Sequence, residues 1–173
     1  MAMTGNFLRD IQAEDFGAIL IRFKNGAIGI VEGTACVYPK NLEETLSIFG
    51  GTGTAVIGGL AVNRVQTWNF ETPAPQDDEV AKINGTDPKD VKMQFGENPP
   101  NVYGYGHTPL YANYIHAIEN GVDPLVSGTE AIKAMKIILA AYKSQKTGQP
   151  VKFDDLEFST LDMQDSDVRW HRG

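Results

Sequence analysis

Residues 15–38 are rich in Ile, Val and Phe, and Lys24-Asn25-Gly26 is the one polar break in the run. Asn-Gly accepts the positive φ of a type I′ turn, so the two halves are expected to fold back on each other as a β-hairpin. Along the first half, Phe16, Ala18 and Leu20 alternate with Ile19, Ile21 and Phe23. Successive side chains of a strand point to opposite faces, so this strand offers apolar groups to both sides of its sheet. An antiparallel sheet with one wet face would alternate apolar with polar residues. Here both faces need cover, which points to helices on one face and a different packing partner on the other.

Further strand signals follow at short intervals. Residues 44–49 read as a strand, Gly50-Gly51-Thr52-Gly53 as a turn, residues 54–57 as the next strand, and Gly58-Gly59 as the turn into residues 61–70. Val, Thr and aromatic residues between glycine turns make a meandering antiparallel sheet, and about four to six strands is the usual size. Residues 71–105 then lose periodicity and collect Pro73, Pro75, Pro88, Pro99 and Pro100 with many acids and amides. A loop this long is unusual in a compact domain and tends to be functional or disordered.

Two helices are expected next. One starts with Pro109 after Thr108, carries Leu110, Tyr114, Ala117 and Ile118 at helical spacing, and stops at Gly121. The other opens on the capping-box pattern Ser127-Gly128-Thr129-Glu130 and ends at Thr147-Gly148 with Pro150 beyond. Residues 151–153 read as a last short strand. The boundaries are therefore residues 1–14 as an N-terminal edge, 15–153 as the sheet domain, and 154–173 as an acidic tail.

Charge and composition narrow the function. Fifteen Lys and Arg against twenty-two Asp and Glu give a net charge of −7, which argues against a nucleic-acid partner, because phosphate binding needs a basic surface. No apolar run approaches the roughly 20 residues that span a bilayer, so no membrane is expected. The single cysteine, Cys36, has no partner in the chain and sits best in a reducing, cytoplasmic compartment.

Side chains suited to chemistry are few. Gly51-Thr52-Gly53 resembles part of a dinucleotide fingerprint, but the third glycine is missing and a strand follows where the fingerprint needs a helix N-terminus. None of the histidines, His107, His116 and His171, has a further ligand at metal-binding spacing, and no serine lies in a nucleophile elbow. No catalytic, cofactor-binding or metal-binding residue is therefore assigned. His107 stands between Tyr103-Gly104-Tyr105-Gly106 and a helix start, where polar groups meet ligands; a plain loop-to-helix junction is the other reading. Trp68, with Arg64 upstream, could stack on or bond to a sugar, or pack within the sheet.

Read as strings, residues 15–29, Leu46-Ser47-Ile48-Phe49-Gly50 with Gly53-Thr54, residues 116–126, and residues 139–151 resemble, in order, the C-terminal domain of the glucose-fructose oxidoreductase, inositol dehydrogenase and MocA (Gfo/Idh/MocA) family. The resemblance implies an α+β fold: an open-faced, mainly antiparallel sheet with helices packed on one face, like the C-terminal domain of glyceraldehyde-3-phosphate dehydrogenase, with no Rossmann domain in this chain. It implies NAD or NADP held by a separate N-terminal Rossmann domain in the intact enzyme, with none bound tightly here. It also implies a homo-oligomer formed through the open sheet face and a sugar, polyol or sugar nucleotide as substrate. His107, Tyr105 and Tyr111, then Arg64 and Trp68, are the expected substrate wall. The family's Glu-Lys-Pro lysine and catalytic histidine have no match; Pro39-Lys40 reverses the Lys-Pro order. A non-catalytic scaffold that oligomerises through the same sheet is the alternative.

Overall fold

The computed structural model describes residues 1–75, 77–84, 103–104 and 106–163. The chain forms two compact units, Met1–Tyr38 with Leu125–Gly173, and Pro39–Pro124. Strands β1 (Ala2–Gly5), β2 (Phe16–Arg22) and β3 (Ile28–Thr34) form one antiparallel sheet in that order, and β4 (Leu46–Gly50), β5 (Gly53–Gly58) and β6 (Arg64–Phe70) form another. Helices α1 (Asp77–Asn84), α2 (His107–Asn120) and α3 (Gly128–Thr147) complete an α+β architecture. The strands make two sheets and not one meander, and the carbonyls after β3 are engaged within the first unit. Arg9 donates to Ala35 O at 2.8 Å and to Val37 O at 3.2 Å.

In the first unit, the hairpin falls where residues 15–38 place it, but its turn differs. Gly26 has φ 91° while Asn25 keeps a negative φ, and Phe23 N bonds Ala27 O at 2.9 Å. The loop is thus three residues long with glycine in the left-handed position, not a two-residue type I′ turn. The N-terminal edge is itself a strand: β1 pairs with β2, Ala2 opposite Ile19. Its outward N–H groups are taken by α3, with Ala2 N donating to Ser144 Oγ at 3.0 Å and Thr4 N to Gln145 Oε1 at 2.9 Å. Side chains of a helix thereby cover the edge strand.

Residues 6–14 are tied down from within. The carboxylate of Asp15, 2% exposed, accepts from the N–H groups of Phe7, Leu8 and Arg9 at 2.9, 2.7 and 2.8 Å. Asn6 Nδ2 donates to Ile11 O and Ala13 O at 2.9 and 2.7 Å. Burial pushes the Asp15 carboxyl up, but the three N–H donors outweigh it and hold the group well below the usual carboxylate range.

Helix α3 follows its sequence signals. Ser127 Oγ accepts from Glu130 N at 3.3 Å, and Gly148 closes the helix in the left-handed conformation. The Glu130 carboxylate turns to Lys133 at 2.6 Å, leaving the capping box half formed. Beyond α3, residues 151–153 are not a strand; a 3-10 turn, Phe153–Asp155, stands there. Pro150 precedes it, and proline lacks the N–H a ladder needs.

In the second unit, β5 is central, with Ala55 buried. The Phe70 ring lies over Gly53 so closely that a Cβ there would collide with it, which explains the glycine without any ligand. β6 starts at Arg64, later than the sequence suggests, because the chain first turns through Val62 in a left-handed conformation. Helix α1, inside the segment read as aperiodic, has Asp77, Asp78 and Glu79 in its first turn, favourable to the helix dipole.

Candidate functional site

The residues marked as a substrate wall divide into two groups, both in the second unit. Trp68 and Arg64 lie on β6. Trp68 Nε1 donates to Asp77 Oδ1 at 2.9 Å, and its ring meets Phe70 edge-on at 5.0 Å between centroids. The indole N–H is therefore used to hold α1 against the strand and is not open to a sugar. Asp77 also accepts from Ala74 N at 2.7 Å, and these two bonds keep its carboxyl below the ordinary range. Arg64 is exposed at the start of the same strand.

His107 and Tyr111 lie on α2, four residues apart and so on one face. The helix begins two residues earlier than Pro109, which makes His107 its first residue. Tyr103 meets the His107 ring edge-on, 6.1 Å between centroids. Among the described residues no side chain caps this helix and no acid stands in its first turn, so none of them offsets the positive end of its dipole. His107 and Tyr111 are both exposed. Tyr105 lies outside the described residues. No hydrogen bond or ring contact joins Arg64 or Trp68 to His107 or Tyr111 among the described residues.

Two partners escaped the sequence reading. Asp77 is visible only as a first-turn acid after Pro75; its role depends on β6 passing beside it. Tyr103 belongs to the Tyr-Gly run but lies in a turn before the left-handed Gly104, outside α2, so no local spacing signals its contact with His107. Among the described residues no group of three or more His, Cys, Asp or Glu gathers to hold a metal, and no helix is long and apolar enough to cross a membrane. A dinucleotide does not fit the glycine-rich turn: Gly53 opens a strand, not a helix, and Phe70 covers it.

The antiparallel strands and the helices make an α+β domain of the kind found in an oxidoreductase family's C-terminal part. Residues 4–153 match the model of the oxidoreductase family, C-terminal alpha/beta domain, of Gfo/Idh/MocA. The chain belongs to that family. Among solved structures it is similar to the WlbA dehydrogenase of Bordetella pertussis, crystallised with NADH and UDP-GlcNAcA, at 33% identity and TM-score 0.73 over 87% of this chain. The WlbA dehydrogenase of Chromobacterium violaceum, with the same two ligands, follows at 30% identity and TM-score 0.70 over 86% of the chain. An oxidoreductase of Agrobacterium radiobacter shares the fold at 18% identity and TM-score 0.58, over 89% of this chain and 42% of its own. The chain spans 41% and 38% of the two dehydrogenases' lengths. None of the curated proteins matches it.

Proposed function

We propose that this chain serves as the C-terminal domain of an NAD(P)-dependent dehydrogenase acting on a sugar nucleotide, within the wider range of sugars and polyols. The observation that carries this reading is the 33% identity to a dehydrogenase crystallised with NADH and UDP-GlcNAcA. The dinucleotide would be held by a Rossmann domain outside this chain, in keeping with the misfit of the Gly51–Gly53 turn. The part supplied here is a piece of the substrate wall: His107 and Tyr111, with Tyr103 behind, at a helix start whose dipole favours a diphosphate. Tyr105 belongs to the same proposal by its place in the Tyr-Gly run. Arg64 is a weaker member, and Trp68 has its polar atom committed to Asp77. The lone thiol Cys36 suits a cytoplasmic setting.

The open face of the first sheet supports oligomer formation. Met3, Leu20, Ile28 and Ile30 are 72, 53, 60 and 78% exposed, and strand alternation sets Met3, Leu20 and Ile30 on the side opposite the buried Ala2. A contiguous apolar face of this kind is normally covered, most simply by a second copy. The scaffold alternative shares this face and differs at α2.

The test is titration of the chain with a UDP-linked uronic sugar and, separately, with NADH, followed by backbone NMR. Saturable shifts centred on His107 and Tyr111 with the sugar nucleotide, weakened about tenfold in His107→Ala with the fold unchanged, are the expected result. Shifts with NADH alone, or a His107→Ala chain that binds as before, would overturn the assignment.

A further inference from the structure

The candidate residues of the second unit fall on two elements, β6 and α2, and the chain segments leading into those elements meet. Ala61 stands three residues before Arg64, and Gly104 stands three before His107. Gly104 takes φ 63°, and a Cβ built on it would lie 3.1 Å from the Cβ of Ala61. Carbon atoms rest at roughly 3.5–4.0 Å, so the backbone at Gly104 lies against the Ala61 methyl with no room for a side chain between them. The residue before it, Tyr103, carries the ring that meets His107 edge-on at 6.1 Å. Ala61 therefore stands behind the aromatic contact of His107.

The turn that carries Ala61 is tightly constrained. Val62 has φ 52°, a left-handed conformation that crowds a β-branched side chain, and it is 43% exposed, so burial offsets little of the strain. Such a conformation persists only where its surroundings hold it. Here they hold it at the base and at the tip. Gly59 N donates to Glu43 Oε2 at 3.3 Å, and Gly59 O accepts from Glu44 N at 2.9 Å. The same Glu43 oxygen accepts from Gln66 Nε2 at 3.0 Å, on the far side of the turn. At the tip, Asn63 Oδ1 accepts from Ala61 N at 3.3 Å. A turn that served only to reverse the chain between β5 and β6 would take glycine or asparagine at position 62 with less strain.

From these contacts we infer that the β5–β6 turn is the positioning element of the candidate site: Ala61 seats Gly104, and Gly104 sets Tyr103 against the His107 ring. Glycine at 104 serves twice, through its left-handed φ and through the missing Cβ that lets the turn approach. Neither Ala61 nor Gly104 touches a ligand in this scheme. They fix the aromatic pair, because a site wall keyed into a braced turn keeps its geometry better than one left on a free loop. The effect on substrate rests on the function proposed for His107 and Tyr111; the positioning itself is a property of the fold.

The experiment uses the whole chain and follows the nuclear Overhauser effect between the ring protons of Tyr103 and His107, with UDP-glucuronate as the titrant. Gly104→Asn adds a Cβ but keeps a residue that accepts positive φ, so it changes space more than backbone preference. It is expected to abolish the ring-to-ring effect and to weaken UDP-glucuronate binding about tenfold, with the sheet of β4, β5 and β6 intact by its amide signals. Adding Ala61→Gly to that variant makes room for the new Cβ and restores both. Ala61→Val crowds the contact from the other side and acts like Gly104→Asn, whereas Ala61→Ser, close in size to alanine, leaves the contact in place. A ring contact that survives Gly104→Asn, one that Ala61→Gly fails to restore, or sugar-nucleotide binding indifferent to its loss overturns the inference. A chain that shows the contact, its loss and its rescue but binds no UDP-glucuronate upholds the positioning and overturns the function proposed for the site.

Discussion

Ser144 and Ala2, at opposite ends of the chain, meet in a hydrogen bond of 3.0 Å: the serine hydroxyl accepts from the strand's N–H and donates in turn to Gln149 O at 2.8 Å. Ser144 is 2% exposed, and it joins three segments of the first unit, β1, α3 and the chain after α3.

Ser144→Ala therefore leaves a buried N–H and a carbonyl unpaired. A loss of about 1–3 kcal/mol is expected, the cost of desolvated groups without partners. Urea unfolding of the two proteins measures it. An unchanged midpoint would mean that water replaces the hydroxyl.

Asp15 ties stability to acid. Its carboxyl is held below the ordinary value of 3.8 in the folded chain by the N–H groups that outweigh its burial, so the unfolded chain takes up the proton first. The stabilisation is fully present above about pH 4 and is lost as pH falls through the depressed folded value. Asp15→Asn is expected to be less stable at neutral pH and to show a flatter decline in acid. Thermal unfolding between neutral pH and pH 3 checks both; parallel curves for the two proteins would contradict the role given to the loop of residues 6–14.

Tyr142 acts at the opposite end of the scale. Its hydroxyl donates to Glu14 Oε1 at 2.6 Å, and this bond, with burial and the glutamate's charge, pushes its pKa from 10.0 up to about 12. A raised pKa means that the contribution is complete below pH 10 and disappears as pH rises toward 12. Tyr142→Phe should lack that alkaline loss and should remove a phenolate that titrates near pH 12 from the ultraviolet absorbance curve. An identical titration in the variant would show the bond to be unformed.

The exposed face of β2 and β3 makes the sharpest test of assembly. Leu20→Glu with Ile30→Asp puts charge at two directly opposed positions of that face. The double variant is expected to be monomeric by light scattering and as helical as the parent by circular dichroism, because both side chains are already half or more exposed. A parent chain that is itself monomeric would refute the face as an oligomer contact.

Much of this was legible in the residues. The hairpin in residues 15–38, the three strands around the glycine turns, the Ser127 cap and the Gly148 stop of α3 are local signals, and each is written in a few adjacent side chains. Helix α1 was harder. Its eight residues are few and mostly polar, and it is held by Trp68, nine positions away and on a strand.

The candidate site divides along the same line. His107 and Tyr111 are brought together by helical spacing, which the sequence carries, whereas Tyr103 reaches His107 from a turn outside the helix and the removal of Trp68 from that group depends on Asp77 reaching its indole. By itself the sequence determined the order and kind of the main elements, the family, and the presence of an apolar sheet face, because these follow from short-range periodicity and turn chemistry. Only the tertiary structure decided that residues 1–14 carry a strand and that Ser144 and Asp15 are the buried ties of the first unit. Those facts rest on pairs far apart in the chain, and no local pattern records which distant backbone group a side chain will meet.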